Sequence, residues 1–287
     1  MSFSNPLHSE LRLSKARQTI LHLLLSRLSS PPFSLANLST FMSSASGLDK
    51  SLMVIQYPAK VVVALLVALA ARLTTSTTAG KSGASSVVRS WAVRYAVRLK
   101  ALSSSIGDAR TMMRLLGIIP VLASIPTVLS PPQMIDSTAQ LIQILQTVSL
   151  ILYYPLENLS YLSSKGAFPL SPARELAWSI WSCRFWAAYV GLDVWRLVRQ
   201  NKEMQVKERV IRMKLQSDEK QDVEEDVKAL KAEKISWIEE VVVNVGYAPL
   251  TIHWSLPNGA WSNEAWTGVF GTIACLAGIR AKWRHMS

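Results

Sequence analysis

Between residues 115 and 156 the chain carries a single charged residue, Asp136, which parts two uncharged runs, 115–135 and 137–156. Each is close to the ~20 residues that cross a bilayer core. In lipid the backbone must satisfy its own polar groups, so runs of this length are read as helices. The first run contains Pro120, Pro126, Pro131 and Pro132, and a straight helix is not expected there. The second sets Gln140, Gln143 and Gln146 at helical spacing and ends at Tyr153 and Tyr154, which suit a membrane–water boundary. Composition agrees: 49% of residues are apolar and only 17% charged, against roughly a quarter charged in soluble domains.

The net charge of +12 is unevenly placed. Residues 50–107 hold Lys50, Lys60, Arg72, Lys81, Arg89, Arg94, Arg98 and Lys100 but no Asp or Glu. These cations are interleaved with Val, Leu, Trp and Tyr, a pattern that favours an anionic lipid surface and argues against a nucleic acid partner. Cys183 and Cys275 lie far apart and make neither a metal spacing nor a disulfide framework. His8, His22, His253 and His285 are scattered, and no nucleophile elbow or Cys–His signature occurs. The chain therefore reads as no enzyme, with no metal and no cofactor. The first residues do not read as a secretory signal, and the final Arg-His-Met-Ser is not a Ser-Lys-Leu address.

The expected architecture is all-α: a helical membrane-associated protein with amphipathic helices and one or more membrane spans in its C-terminal half. Residues 1–110 form an amphipathic, membrane-interacting region and 111–195 membrane-embedded helices. Residues 196–240 form a charged helical spacer, and 241–287 the membrane-anchoring region. A helix is expected over 7–28. A second is expected over 35–73, kinked or divided by Pro58. Residues 61–71 are too short an apolar run to span alone. Residues 74–86 form a linker; its Gly80-Lys81-Ser82 lacks the earlier glycine of a phosphate loop. Arg184 interrupts an apolar helix over 178–192, so it should face protein, water or headgroups. The spacer, basic and then acidic, reads as a solvated hairpin or tether. The anchor is placed at 265–279, where Gly271, Ala274, Cys275 and Gly278 allow close helix packing and Arg280, Lys282 and Arg284 flank the end. Both termini are expected in the cytosol.

One segment has a membrane mechanism. On a helical wheel of 86–106, Val87, Val88, Trp91, Tyr95, Leu99, Leu102 and Ile106 fall within about a third of the circumference. Arg94 and Arg98 border one edge, and Arg89 and Lys100 lie beyond the other. Such a helix lies in an anionic bilayer surface; a wedge in one leaflet favours curvature. The competing reading is an amphipathic helix packed on the protein's own core.

Gly47-Leu48-Asp49-Lys50 with Gln56-Tyr57 resembles the early Gly-Arg-Asp-Lys…Gln-Tyr signature of the peroxin-11 family. Residues 153–158, Tyr-Tyr-Pro-Leu-Glu-Asn, followed by Leu162 and Gly166, are similar to its central motif. Residues 244–254 resemble its Asn-x-Ala-Asp-x-Pro-x-x-x-His-Trp stretch, and 268–279 its closing glycine-rich span. Leu48 and Tyr247 depart from the common Arg and Asp and suggest a divergent, fungal-type branch. The resemblance implies a peroxisomal membrane protein that elongates and proliferates its membrane, homo-oligomerises and contacts the fission machinery. Two rivals stand beside it. One is a channel or solute carrier of the same membrane, with Gln140, Gln143, Gln146 and Arg184 lining a polar path. The other is a soluble helical scaffold.

Overall fold

The computed structural model describes residues 35–76, 83–131, 136–216 and 223–284. The expected helix over 7–28 and the Gly80-Lys81-Ser82 tripeptide lie outside them. The described residues form eight α-helices and one 3₁₀ turn, with no strand. They are α1 (Leu35–Ser43), α2 (Ala45–Ser76), α3 (Gly83–Met113), the 3₁₀ turn Arg114–Leu116, α4 (Ile118–Leu129), α5 (Ser137–Ser164), α6 (Pro172–Gln216), α7 (Val223–Trp254) and α8 (Glu264–Arg284). α3, α6 and α7 each run through one of the boundaries expected at 110, 195 and 240.

The chain divides into two units. The smaller one holds residues up to Leu48 and from Lys282 on. In it Lys282 Nζ donates to Ser44 Oγ at 2.6 Å, and the Phe41 and Trp283 rings lie 5.6 Å apart. The larger one holds Asp49 to Ala281 and contains the helices that matter for function.

Pro58 does not divide α2, which continues for 32 residues. Gln56, Tyr57 and Lys60 around the proline are all tied to other helices, so tertiary contacts carry the helix across the missing donor. The apolar run 61–71, too short by itself, becomes part of a helix long and apolar enough to cross a membrane, Ala45–Thr74; α5 is the other. The proline-rich run behaves as expected. α3 with its 3₁₀ turn, and α4 after it, pass the same test only as a pair bent by 43°.

α8 is not among the helices that meet this measure. Glu264 and Arg280 close its apolar stretch early, and Gly and Thr dilute it. Its small residues are buried inside the chain instead: Ala274 and Cys275 are essentially inaccessible. A Cβ on Gly271 would run into the Tyr57 ring, and one on Gly246 of α7 would lie 2.6 Å from the Ala274 nitrogen. A Cβ on Gly278 meets only the movable Lys50 ammonium, at 2.9 Å. Lys282 is drawn to Ser44, and Arg280 lies 3.4 Å from Glu239.

The spacer is a helical hairpin of α6 and α7. Met204, Ile211, Val223 and Leu230 form its seam, and Trp237 donates to the Leu197 carbonyl at 2.9 Å. Lys207–Glu233, Lys214–Asp226 and Lys234–Glu208 bridge the two helices. Lys234 and Arg212 together hold the Glu208 carboxyl down to about 2. Of the two readings the charges allowed, hairpin or tether, the structure has the hairpin, with these pairs as its rungs.

Gly271→Leu should lower thermal stability in detergent, by an overpacking cost of about 1–3 kcal/mol. Gly191→Leu is the control, because its Cβ meets nothing within 4 Å. Equal melting of the two variants would show that α8 does not pack on Tyr57.

Candidate functional site

A cleft of about 950 Å³ opens among α2, α3, α5, α6, α7 and the start of α8. Its floor is built by charges that the apolar sequence around them would not suggest. Arg110 of α3 grips Asp49 of α2 with two bonds, Nε to Oδ1 at 2.7 Å and Nη2 to Oδ2 at 3.3 Å. Its Nη1 donates to Gln56 Oε1 at 2.6 Å and to the Tyr57 hydroxyl at 3.4 Å. Arg114 repeats the arrangement toward α5, donating to Glu157 at 2.7 and 3.1 Å and to Thr111 Oγ1 at 3.2 Å. Asn158 Nδ2 then caps the Leu115 carbonyl at 2.9 Å, where the backbone leaves α3. The planar fork of arginine suits these two-point contacts, which a lysine could not make.

Aromatic side chains wall the cleft on the other side. Trp186 stacks on Trp254 at 5.7 Å and 16°, and meets Tyr247 edge-on at 5.6 Å. Tyr153 is buried beneath, 6.3 Å from Trp186. Tyr247 reaches Met53 Sδ at 3.5 Å. The departure from Asp to Tyr at 247 replaces a charge with an aromatic in this wall. Lys60–Glu264 and Lys165–Asp108 bridge the rim.

The motif residues far apart in sequence thus meet in one place: Asp49, Gln56 and Tyr57; Tyr153, Tyr154 and Glu157; Tyr247 and Trp254. The sequence showed them as three separate signatures, and Arg110 and Arg114 belonged to none. Their signal was available, two cations beside apolar runs that need carboxylate partners. The glutamines expected to line a polar path do not enter the cleft. Gln146 donates to Asp193 at 3.3 Å and Gln140 to the Leu129 carbonyl at 3.3 Å. Arg184 lies over the Trp181 ring and donates to the Ser255 carbonyl.

α3 also carries the proposed wedge. Its packed side is a stripe of Ala92, Ala96, Ser103, Ile106 and Arg110, all buried. Ser103 Oγ donates to the Gln56 carbonyl at 3.1 Å. About a quarter-turn away, Val87, Val88, Trp91, Tyr95 and Leu102 remain exposed, Val87 at 66% and Trp91 at 49%. Trp91 and Tyr95 touch, with centroids 4.7 Å apart, and Arg98 lies 5.8 Å over Tyr95. Arg89 and Arg94 are exposed, while Leu99 is half-buried at the edge of the packed stripe. Lys100 faces the cleft rather than the apolar side.

The family model described as Peroxisomal biogenesis factor 11 (PEX11) matches residues 35–283. The chain belongs to the peroxisomal biogenesis factor 11 family. An uncharacterized protein of Schizosaccharomyces pombe is 24% identical over 180 residues, 62% of this chain and 73% of its own length, in keeping with a divergent fungal branch. No solved structure matches. As a family member the chain is a peroxisomal membrane protein with a general role in peroxisome proliferation. The family is one of biogenesis factors and not a known family of enzymes.

Arg110→Met should cost about 3–5 kcal/mol of stability, because it strands Asp49 among helices. Arg110→Met combined with Asp49→Leu should recover much of that loss in a thermal melt. If the double variant is as unstable as the single one, the pair does not act as a unit.

Proposed function

We propose that the chain elongates and proliferates the peroxisomal membrane by laying the exposed side of α3 into an anionic leaflet. The observation that carries this reading is the division of α3 into two sides. One buries Ala92, Ala96 and Ser103 and is tied to α2 by the Ser103–Gln56 hydrogen bond; the other leaves Trp91, Tyr95 and Leu102 exposed beside Arg94 and Arg98. Complete burial of such side chains is worth roughly 1.5–3 kcal/mol each, and each cation near an anionic surface adds about 1 kcal/mol. The core-packing reading accounts for the buried stripe but leaves the exposed aromatics without a role. Self-association and contact with the fission machinery complete the reading, supported by family membership. Self-association would use a surface other than Gly271, Ala274 and Cys275, which are buried within the chain.

Two double variants should separate the steps. Trp91→Ala with Leu102→Ala should retain binding of the 83–113 peptide to anionic liposomes but abolish tubulation by the full chain. Arg94→Glu with Arg98→Glu should lose both. If the aromatic variant instead lowers the melting temperature and tubulates normally, α3 is a core helix and the wedge fails.

We also place both termini on the cytosolic side, on the strength of the basic N-terminal half and C-terminal tail. Tags at either end should both be removed by protease added to intact peroxisomes. Protection of one tag alone would mean an odd number of spans and would refute this orientation.

A further inference from the structure

The cleft lining holds four cations, Lys60, Lys100, Arg110 and Arg114, against four carboxylates, but one of those carboxylates, Asp108, is paired with Lys165 outside the lining. Four lining carboxylates each have a cation of their own: Asp49 has Arg110, Glu157 has Arg114, Glu264 has Lys60 and Asp108 has Lys165. Lys100 lines the same cleft and makes no ion pair among the described residues. Lys100 lies about one turn of α3 from Ser103 and Lys60 about one turn of α2 from Gln56, the residues joined by the Ser103–Gln56 hydrogen bond, and both lysines line the cleft. With every lining carboxylate already paired, Lys100 is left to attract an anion.

Beyond Lys60 the lining changes character. Val63, Ala64 and Val67 follow on α2 and Leu150 on α5. Among the described residues, α2 and α5 are the two helices that are singly long and apolar enough to cross a membrane. From Lys60 to Val67 the helix rises about 10 Å, so cationic and apolar linings succeed one another along one wall. The volume lies at the upper end of ligand-sized pockets, roughly 300–1,000 Å³. Polar at one end and apolar at the other, with its apolar end on candidate spans, the cleft matches an amphiphile drawn from the bilayer.

We infer that the cleft seats one anionic phospholipid, with its phosphate at Lys100 and Lys60 and an acyl chain along Val63, Ala64, Val67 and Leu150. This site is distinct from the exposed side of α3. Lys100 lies roughly half a turn round the helix from Trp91, so a lipid in the cleft and a leaflet under Trp91 meet different sides of α3. The inference takes membrane residence from the family and does not require α3 to act as a wedge.

The test uses the full chain purified in detergent and titrated with dioleoylphosphatidylglycerol under native mass spectrometry. A single saturating adduct is expected. Dioleoylglycerol lacks the phosphate and glycerol 3-phosphate lacks the chains, and neither should form it at the same concentration. Lys100→Gln, on an exposed side chain that should not disturb folding, should weaken the adduct at least fivefold. Ala64→Phe should fill the apolar end and abolish it, whereas Leu65→Phe, on an exposed neighbour, should not. Arg94→Glu with Arg98→Glu should leave the adduct intact, which separates failure of this site from failure of the wedge. Three results would overturn the assignment: an adduct unchanged in Lys100→Gln, an adduct unchanged in a folded Ala64→Phe chain, or glycerol 3-phosphate binding as well as the lipid. The last would leave a phosphate site without a lipid.

Discussion

The fork of Arg110 on Asp49 is the contact on which the functional half of the molecule depends. It joins two helices, and the buried side of α3 beside it is otherwise small, with Ala92, Ala96 and Ser103. Small side chains let the backbones approach, but they bury little apolar area and fix no register. The guanidinium does fix it, because its donors must find Asp49, Gln56 and Tyr57 at once. With α2 and α3 in that register, Ser103 reaches the Gln56 carbonyl and Arg114 comes opposite Glu157. A charge pair among apolar helices is costly to assemble and costlier to break, so it specifies one arrangement of neighbours.

Much of this was legible in the sequence, and for identifiable reasons. Uncharged runs force helices, and the class followed. The prolines foretold that 115–135 would not be one straight helix; the bend falls just before Pro120, while Pro126 lies inside the unbroken α4. The charge pattern of 196–240 allowed a hairpin or a tether, and the pairs Lys207–Glu233 and Lys234–Glu208 across two helices are those of the hairpin. Hydropathy alone says little about α8. Glycine and alanine at i, i+4 spacing serve lipid-facing helix pairs and interior helix pairs equally well, and only the ring of Tyr57 against Gly271 tells them apart. Hydropathy failed for residues 61–71, because a window read alone could not know that the helix would continue through Pro58.

The site was harder to see than the fold. The motif residues were visible as separate signatures, but a wheel or a window describes one helix at a time. The meeting of Asp49, Glu157 and Tyr247 in one cleft is a property of three helices. The α3 wheel illustrates the limit. It found one broad apolar arc, whereas the helix uses two adjacent arcs differently: Ala92 and Ala96 inward, Trp91 and Tyr95 outward. Leu99 sits at their border and is half-buried.

That division has a thermodynamic consequence. A free amphipathic peptide is largely unfolded in water, and its attraction to lipid must first offset the cost of forming the helix. In this chain the ordering is already met by the contacts of α3 with α2. On the proposed wedge reading, what remains for the membrane is the transfer of a few rigid side chains at a depth and angle set by the protein. The response to lipid is then graded by surface charge and packing defects, with no coil-to-helix transition to act as a threshold. If α3 enters the leaflet as proposed, a helix held this way works as a fixed keel, and the bilayer is the part that has to bend.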